Sequence, residues 1–394
     1  MTAPSDTDVL IAGAGLPGLA AASAIARLGL SVALADRAVV GTSAMASDTE
    51  DWDIRVYAVS PGSAAFLRAL GAWQKLAPDR IAPIEAMRVE GDAGAVLNFS
   101  AYELGERALA WIVEERALRD ALVPLVHEAR VVIHAPAAFE ALTFSRDAAL
   151  LRLGSGESIA ARLLVGADGA RSWVRDAAGL RAQTRSYAQT AVVANFRCER
   201  GHRGRAYQWF RDDGGVLAWL PLPGRRVSIV WSAPDQLAQE LLGLEPDALA
   251  TRVANEGGHA LGAFSSITRS TGFALHSVKP TATIAHRIAL MGDAAHGVHP
   301  LAGQGVNLGF GDAEALFAVL GERGPLTDAG ASILLERYAR RRIEPVLAMH
   351  AVTDGLARLF GNAAPWLRSA RNLGMAGLDR LPAAKRLLAQ AALR

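Results

Sequence analysis

Three glycines near the start of the chain, Gly13, Gly15 and Gly18, stand at the spacing G-x-G-x-x-G. They follow an apolar segment at 9–12 and precede a segment of helical composition that ends at Gly29. Gly13 would permit a tight turn, Gly15 would let backbone N–H groups approach a pyrophosphate, and Gly18 would let helix and strand pack closely. The positive end of the helix dipole would then face the phosphates. The spacing therefore predicts a site for a dinucleotide.

A carboxylate completes this candidate site. Asp36 closes a second apolar segment, 31–36, and a carboxylate at this position can accept hydrogen bonds from a ribose diol. Strand, helix and strand within about 30 residues form one βαβ unit, which implies a parallel sheet. This frame favours a dinucleotide over a tight turn with a solvent-facing acid. It does not separate NAD from FAD.

A second motif places Asp168 and Gly169 after a predicted strand at 162–165, with Arg171 and Ser172 following. These residues could approach a phosphate or a ribose. Taken alone, the motif is more typical of a turn between a strand and a helix.

The third motif runs from residue 291 to residue 309. Asp293 ends a strand, where ligand crevices form in open α/β sheets. Gly303 and Gly305 would free backbone amides just before a helix, where such amides can hold negative charge on a ring. The spacing of His296 and His299 superficially suggests a metal site. No partnering carboxylate or cysteine pattern supports one, so we predict no metal.

Three motifs of this kind, in this order, resemble the FAD-dependent aromatic hydroxylases with the p-hydroxybenzoate hydroxylase fold. Further segments are similar to the ubiquinone-biosynthesis hydroxylases, namely 53–60 (DIRVYAVS), 70–73 (LGAW), 299–309 (HPLAGQGVNLG) and 371–375 (RNLGM). The resemblance runs from residue 8 almost to the C-terminus. It is weakest across 181–275, where the substrate is expected to lie.

The resemblance implies an α/β fold with a Rossmann-like FAD-binding domain, an inserted antiparallel-sheet substrate domain and a helical C-terminus. The expected divisions are 1–72, 101–180 and 276–345 for the FAD-binding domain, 73–100 and 181–275 for the substrate domain, and 346–394 for the C-terminal helical segment.

Residue patterns add detail to this fold. They predict helices at Ser60–Leu76 and Ile112–Ala129, and an antiparallel sheet from Ala191 to Trp231, where apolar residues alternate between turn signals. Four aromatic residues of this sheet either line a substrate pocket or fill the sheet core: Trp209, Phe210, Trp219 and Trp231.

The resemblance also implies roles for individual residues. The expected FAD-binding residues are Gly13, Gly15, Gly18, Asp36, Arg55, Asp168, Gly169, Asp293, Gly303, Gln304, Gly305, Val306 and Asn307. The expected catalytic residues are Arg55, His299 and Pro300. Arg55 would be a fixed cation beside the pyrophosphate and the ribityl chain, with a surface ion pair as the alternative. Pro300 would contact the reacting ring through its carbonyl, and His299 would either relay a proton or pack the loop.

The chemistry that the resemblance implies needs FAD, NADH or NADPH as electron donor, and O₂ as co-substrate. Reduced flavin would give a C4a-hydroperoxide, whose distal oxygen passes to an electron-rich aromatic ring. The expected substrate is a polyprenylated ubiquinone precursor. A hydroxylase of a small soluble aromatic, a flavin reductase and a non-catalytic FAD-binding scaffold of a quinone-synthesis complex are the alternatives.

Composition limits the partners. With 51% hydrophobic residues and 20% charged residues the chain can form a large core, and its net charge of +2 indicates no nucleic-acid partner. The single cysteine, Cys198, excludes an intrachain disulfide and is expected in the core. The segment Pro365–Arg394 mixes apolar and basic residues, so it is expected either to lie on a membrane or a partner, or to pack on the FAD domain. We expect a cytoplasmic protein with a peripheral contact to the inner face of the membrane.

Overall fold

The computed structural model describes residues 6–42, 51–298, 305–362, 364–381, 383–386 and 389. Within these ranges the chain folds into a parallel sheet, a large antiparallel sheet and a set of helices, and the predicted α/β class is confirmed. The strands are β1 (Thr7–Ala12), β2 (Val32–Ala35), β3 (Val56–Val59), β4 (Ile81–Ile84), β5 (Ala86–Glu90), β6 (Val96–Ser100), β7 (Ala110–Glu114), β8 (Val132–His134), β9 (Phe139–Phe144), β10 (Ala149–Leu153), β11 (Ser158–Gly166), β12 (Ala182–Cys198), β13 (Arg205–Phe210), β14 (Val216–Leu222), β15 (Arg226–Pro234), β16 (Phe264–Ser266), β17 (Thr271–Pro280), β18 (Ile284–Ala285) and β19 (Ile288–Leu290). The helices are α1 (Leu16–Ala26), α2 (Pro61–Ala69), α3 (Ala101–Leu104), α4 (Glu115–Glu128), α5 (Trp173–Ala177), α6 (Asp235–Leu242), α7 (Pro246–Glu256), α8 (Gly305–Gly321), α9 (Ser332–Phe360) and α10 (Pro365–Asp379).

The first sheet has the order β18-β19-β11-β1-β2-β8, with β10 and β9 continuing from β11. Strands β19, β11, β1, β2 and β8 are parallel to one another, so their carboxyl ends share one edge. The central strand β1 is almost entirely buried because helices cover one face and the β9–β10 hairpin lies over the other. Ligands bind at such an edge in open α/β sheets.

Helix α1 is buried along most of its length, and its neighbours are α4 and α8. Small residues on α1 permit this close packing, because an alanine adds little bulk between two helices and a sheet. The N-terminus of α1 is thereby fixed at the carboxyl edge of β1.

The second sheet, which we call the roof sheet, has the order β16-β12-β15-β14-β13-β5-β6, with β17 paired to β12. One of its faces packs under α6 and α7, and three of the four aromatic residues lie there: Trp209, Trp219 and Trp231. Trp219 and Trp231 are almost fully buried, and Phe210 stacks on Phe360 at the other face. The core alternative for these residues is confirmed, because the sheet alternation directs the tryptophans toward the covering helices.

Two predicted helices differ from the observed ones. Ile112–Ala129 is wrong at its start, because residues 110–114 form β7 between β3 and β4, and α4 begins at Glu115. Ser60–Leu76 is too long, because α2 ends at Ala69 and a short 3₁₀ turn at 73–75 follows a bend with a positive φ at Gly71.

The C-terminal helix α10 packs on β6 of the roof sheet, and not on the FAD domain, which was one of the two alternatives for this segment. Arg371 and Asn372 both hydrogen-bond to Asp92, whose side chain is fully buried in the β5–β6 turn. Met375 and Leu378 cover apolar residues of the same hairpin. The predicted division of the chain into domains stays a prediction.

Candidate active site

The glycine turn after β1 has two tightly packed glycines and one open one. Gly13 has a φ of +115°, and a Cβ there would overlap the backbone of Ala167. A Cβ at Gly18 would overlap the carbonyl oxygen of Gly13. At Gly15 the nearest atom to a Cβ would be Pro17 Cδ, at 4.0 Å. The surface at Gly15 and the start of α1 is therefore open, as the pyrophosphate of a dinucleotide requires.

Asp36 lies beside this turn. Its Oδ2 accepts a hydrogen bond from Ala14 N at 2.5 Å, and its Oδ1 accepts one from Ala38 N at 2.7 Å. Arg119 of α4 donates from Nη1 to Ala14 O at 2.8 Å, so it braces the same turn from the other side. Sequence reasoning missed Arg119, because a lone arginine on a helix carries no motif.

The three motifs converge on the turn after β1. The second motif lies against the first, since Gly13 is packed on Ala167 and on the backbone of Asp168. The third motif reaches the same turn, since a Cβ at Gly309 would lie 2.5 Å from Pro17 Cγ. Segments far apart in the chain therefore form one site.

Asp168 itself caps helix α5. Its Oδ2 accepts from Val174 N at 3.0 Å, and its Oδ1 accepts from the Ser172 hydroxyl. Gly169 follows with a φ of +85°, which favours glycine. The capping role explains the turn that this motif predicts, and a role toward FAD stays a prediction.

A cluster of charged and polar groups forms around Arg55. Its Nη1 lies 3.1 Å from Glu115 Oε2, and the Tyr57 hydroxyl lies 3.4 Å from the same oxygen. The Arg55 guanidinium carbon lies 4.6 Å from the centre of the Phe273 ring on β17 of the roof sheet. Arg55 thus stands between the parallel sheet domain and the roof, with half of its side chain exposed.

The charge of Asp293 interacts with this cluster. Desolvation raises the pKa of the Asp293 carboxyl although its side chain is exposed at the surface, and His296 and Arg55 oppose that rise. Burial, followed by the charges of Glu115 and Asp293, raises the pKa of Tyr57, which Arg55 opposes. Arg55 and Asp293, which the sequence singled out separately, therefore lie within range of each other's charge. Tyr57 and Glu115 are functional candidates that sequence reasoning missed.

The start of α8 is tied to the turn between β3 and α2. Asn307 Oδ1 accepts from Ser60 N at 3.0 Å, and its Nδ2 donates to Ala58 O at 2.8 Å. Val306 is buried, whereas a Cβ at Gly305 would meet no atom of the described residues within 4 Å. The first turn of α8 is therefore held in place, and its surface at Gly305 is open. Such a surface suits a ring whose negative charge is stabilised by backbone amides and by the helix dipole.

Four predicted site residues, His299, Pro300, Gly303 and Gln304, lie outside the described residues, and their roles stay predictions. His296 is described, and its Nε2 lies 2.6 Å from Asp312 Oδ2. The described part of the chain contains no group of three or more residues suited to holding a metal ion.

The fold and the site are those of an FAD-dependent aromatic monooxygenase. The features that define this class are the parallel sheet, the open glycine turn, the cluster around Arg55 and the roof sheet. Residues 6–353 match a protein family described as "FAD binding domain". The chain belongs to this family of FAD-binding monooxygenases and is related along nearly its full length to hydroxylases of ubiquinone biosynthesis. The resemblance inferred from the motifs is confirmed.

Two relatives and one solved structure describe this kinship. The chain is 36% identical to ubiquinone hydroxylase UbiL of Rhodospirillum rubrum over 386 residues, which is 96% of this chain and 88% of the relative. It is 33% identical to 3-demethoxyubiquinol 3-hydroxylase of Escherichia coli over 387 residues, which is 96% of each. PqsL, a probable FAD-dependent monooxygenase from Pseudomonas aeruginosa, has a TM-score of 0.77 at 25% identity, with 93% of this chain and 99% of that chain covered.

Proposed function

We propose that this enzyme hydroxylates the aromatic ring of a polyprenylated ubiquinone precursor, with NADH or NADPH as electron donor and O₂ as co-substrate. The observation that carries the proposal is the convergence of the three motifs on one open glycine turn, in a chain aligned over 96% of its length with two relatives whose names describe ubiquinone-pathway hydroxylases. The substrate of those relatives supports the substrate class proposed for this chain.

Each residue of the site would have a distinct task. The start of α1 and Gly15 would hold the pyrophosphate, Asp36 the adenosine ribose and Asp293 the ribityl chain. The backbone of residues 305–307, at the start of α8, would face the ring system and stabilise negative charge on it. When bound, FAD would supply the redox chemistry by which NADH or NADPH and one O₂ yield a hydroxylated ring, the oxidised nicotinamide and water.

The roof sheet would exclude water from the reacting ring, which prevents the side reactions that an open site allows. Arg55 contacts Phe273 of this sheet, so it would lie against both the cofactor and the roof. Pro300 would contact the substrate ring through its carbonyl, and His299 would move a proton at its imidazole. Asp168 and Gly169 would border the route of the nicotinamide.

An insoluble substrate needs access to a lipid phase. No helix in the described part of the chain is long and apolar enough to cross a bilayer. The outer face of α10 exposes Trp366 and Leu373, and Leu381 is exposed just beyond its end. Apolar side chains among basic residues suit a helix that rests on an anionic surface. We therefore propose a cytoplasmic enzyme that works at the inner face of the membrane, where a quinone-synthesis complex would also be within reach.

Product analysis tests the proposal. The FAD-loaded protein, NADH and a lipid extract from a strain lacking the gene should yield one oxygen atom on a prenylated ring, detected by mass spectrometry with ¹⁸O₂. A Gly15→Val variant should give no product. Hydroxylation of a small aromatic but not of the extract would favour the soluble-substrate alternative. A protein that binds FAD yet consumes no NADH or NADPH with the extract would be a scaffold, and the proposal would be wrong.

A further inference from the structure

A cavity of about 370 Å³ lies between α9 and the segment that joins β17 to β18, and we call it the α9 cavity. Helix α9 supplies one wall, and the third motif and α8 supply the inner end through His296 and Asp312. Its volume falls within the range of small-molecule sites. Neither the glycine turn nor Arg55 belongs to its lining.

The inner end of the cavity is polar and buried. Asp312 Oδ2 lies 2.6 Å from His296 Nε2, and its Oδ1 accepts from Arg342 Nε at 2.6 Å. His296 is 2% exposed and His350 is 7% exposed, and each has an Nδ1 without a hydrogen-bond partner among the described residues. Buried polar atoms nearly always have a partner, so two unpartnered imidazole nitrogens in the wall of one cavity call for a ligand.

The lining of the cavity has more cations than carboxylates. Its lining carries three permanent cations, Lys279, Arg340 and Arg342, and one carboxylate, Asp312. Two carboxylates that are not part of the lining pair with these cations, with Asp354 at 2.5 Å from Lys279 and Glu336 at 3.8 Å from Arg340. Glu314 and Asp293, also outside the lining, interact with Arg342 and with His296, respectively. Desolvation lowers the pKa of His296, but the charge and the hydrogen bond of Asp312 outweigh it, so the pKa is raised. This shift favours protonation, which would let Nδ1 donate to an oxygen of a ligand anion.

The outer rim of the cavity is apolar and open to solvent. Ile343 is 61% exposed and Leu347 is 60% exposed, although both line the cavity, and Val346 lies between them. Exposed aliphatic side chains beside a pocket mark a binding surface more often than a lone exposed leucine does. A ligand with a polar head and an aliphatic chain would cover them.

We propose that the α9 cavity binds a fatty carboxylate, with its carboxylate group at the His296 and His350 end and its chain along Ile343 and Leu347. At roughly 30 Å³ for each water-sized group, the cavity has room for about a dozen non-hydrogen atoms, which matches a carboxylate with a medium-length chain. This proposal is independent of the substrate proposed above.

Hydrogen bonds connect the cavity to the proposed flavin site. Asp312 Oδ2 also accepts from Gly292 N at 2.8 Å, and Gly292 immediately precedes Asp293. A ligand that moves the His296–Asp312 pair would therefore shift Asp293. Because coupling between two sites is reciprocal, a bound carboxylate would change the affinity for FAD by the same factor by which FAD changes the affinity for the carboxylate.

Calorimetric titration with dodecanoate, below its micelle concentration, tests the proposal on the FAD-loaded protein and on the protein without FAD. Dodecan-1-ol, which lacks the charge, should bind at least tenfold more weakly. Leu347→Lys and Leu347→Asp should each weaken dodecanoate binding by about two- to fivefold, because each replaces an apolar contact of the chain with a charged side chain. The matched controls are Ile333→Lys and Ile333→Asp, since Ile333 is also exposed on α9 but lies about 21 Å along the helix from Leu347.

A blocking variant gives a second measure. Ala339 is half-buried in the wall of the cavity, so Ala339→Trp should fill the space and abolish binding. If that variant fails to fold, the Leu347 pair still decides the question. Absence of dodecanoate binding, equal affinity for the alcohol, or equal affinity in the Leu347 and Ile333 charge pairs would overturn the proposal.

Discussion

At the scale of single residues, the three motif glycines differ in what a side chain would meet. Gly13 and Gly18 are required by the packing of the protein itself, whereas Gly15 borders open space and its φ of −67° suits any residue. Gly15→Val should therefore fold normally but place a side chain where the pyrophosphate must lie. We expect a colourless protein with the melting temperature of the wild type stripped of FAD. Gly201→Val, on an exposed turn of the roof sheet with equally free space, is the control and should stay yellow. Loss of folding in Gly15→Val would contradict this assignment.

Arg55 has a resident partner that a cofactor would have to share. Glu115 Oε2 lies 3.1 Å from Arg55 Nη1. Desolvation is the largest single influence and lowers the pKa of Arg55, but the charge and the hydrogen bond of Glu115 together outweigh it, so the pKa is raised. Glu115→Gln should free Arg55 for a dianionic pyrophosphate and tighten FAD binding by a few fold. Arg55→Ala should weaken it by about 1.5–3 kcal/mol, the value of a charge-assisted hydrogen bond. Fluorescence titration of FAD measures both, and weaker FAD binding in Glu115→Gln would show that Glu115 instead positions Arg55.

Whether the role of a residue could be predicted from the sequence depends on whether that role is local. Gly13 and Gly18 could be predicted because a missing Cβ is a local requirement that spacing reveals. Glu115 and Tyr57 could not, because their roles arise from a pairing between β3 and α4 that brings together residues about 60 positions apart. The same holds for Asp312, whose carboxylate joins β19, the third motif and α9.

At the scale of elements, β7 shows how tertiary pairing decides a boundary. Ile112 and Val113 continue without a break into the amphipathic pattern of α4, so the sequence favours one long helix. Strands β3 and β4 pair with both edges of this segment, and that pairing outweighs helix propensity. The long antiparallel strands of the roof could be predicted because their alternation extends over many residues.

Helix α10 has two faces that should respond differently to mutation. Arg371 is almost fully buried against Asp92, so Arg371→Ala would remove the nearest charge partner of a buried carboxylate that Arg368, at 3.4 Å, and Asn372 still contact. The free energy of unfolding should fall by about 3 kcal/mol. Trp366→Ala and Leu373→Ala, at exposed positions, should leave stability unchanged while weakening binding to vesicles with anionic lipids. Chemical denaturation and vesicle sedimentation at low and high salt separate the two effects. Normal vesicle binding in the double variant Trp366→Ala/Leu373→Ala would show that α10 does not form the membrane contact.

At the scale of the whole molecule, the proposed cytoplasmic enzyme should lose stability when acidified, and His350 should account for part of that loss. Burial, reinforced by the charge of Lys279, lowers the pKa of His350 from 6.5 to about 4 in the folded protein. Between these values the unfolded chain binds a proton at this residue and the folded chain does not. His350 therefore contributes stability above pH 6.5, and this contribution declines as the pH falls toward 4, by at most about 3 kcal/mol.

His350→Gln removes this titration and keeps a polar side chain of similar size, so it isolates the contribution of one group from the carboxylates that also titrate in acid. We expect the free energy of unfolding of the wild type to fall more steeply than that of the variant between about pH 6.5 and about pH 4.5. His296, whose pKa is raised, acts in the opposite sense, because its contribution is complete below pH 6.5 and is lost as the pH rises through its folded pKa. Urea denaturation across this range measures the slopes, and the matched control is His259→Gln on an exposed turn, which should follow the wild type. Parallel curves for His350→Gln and the wild type would mean that His350 titrates normally and that the α9 cavity is more hydrated than its contacts indicate.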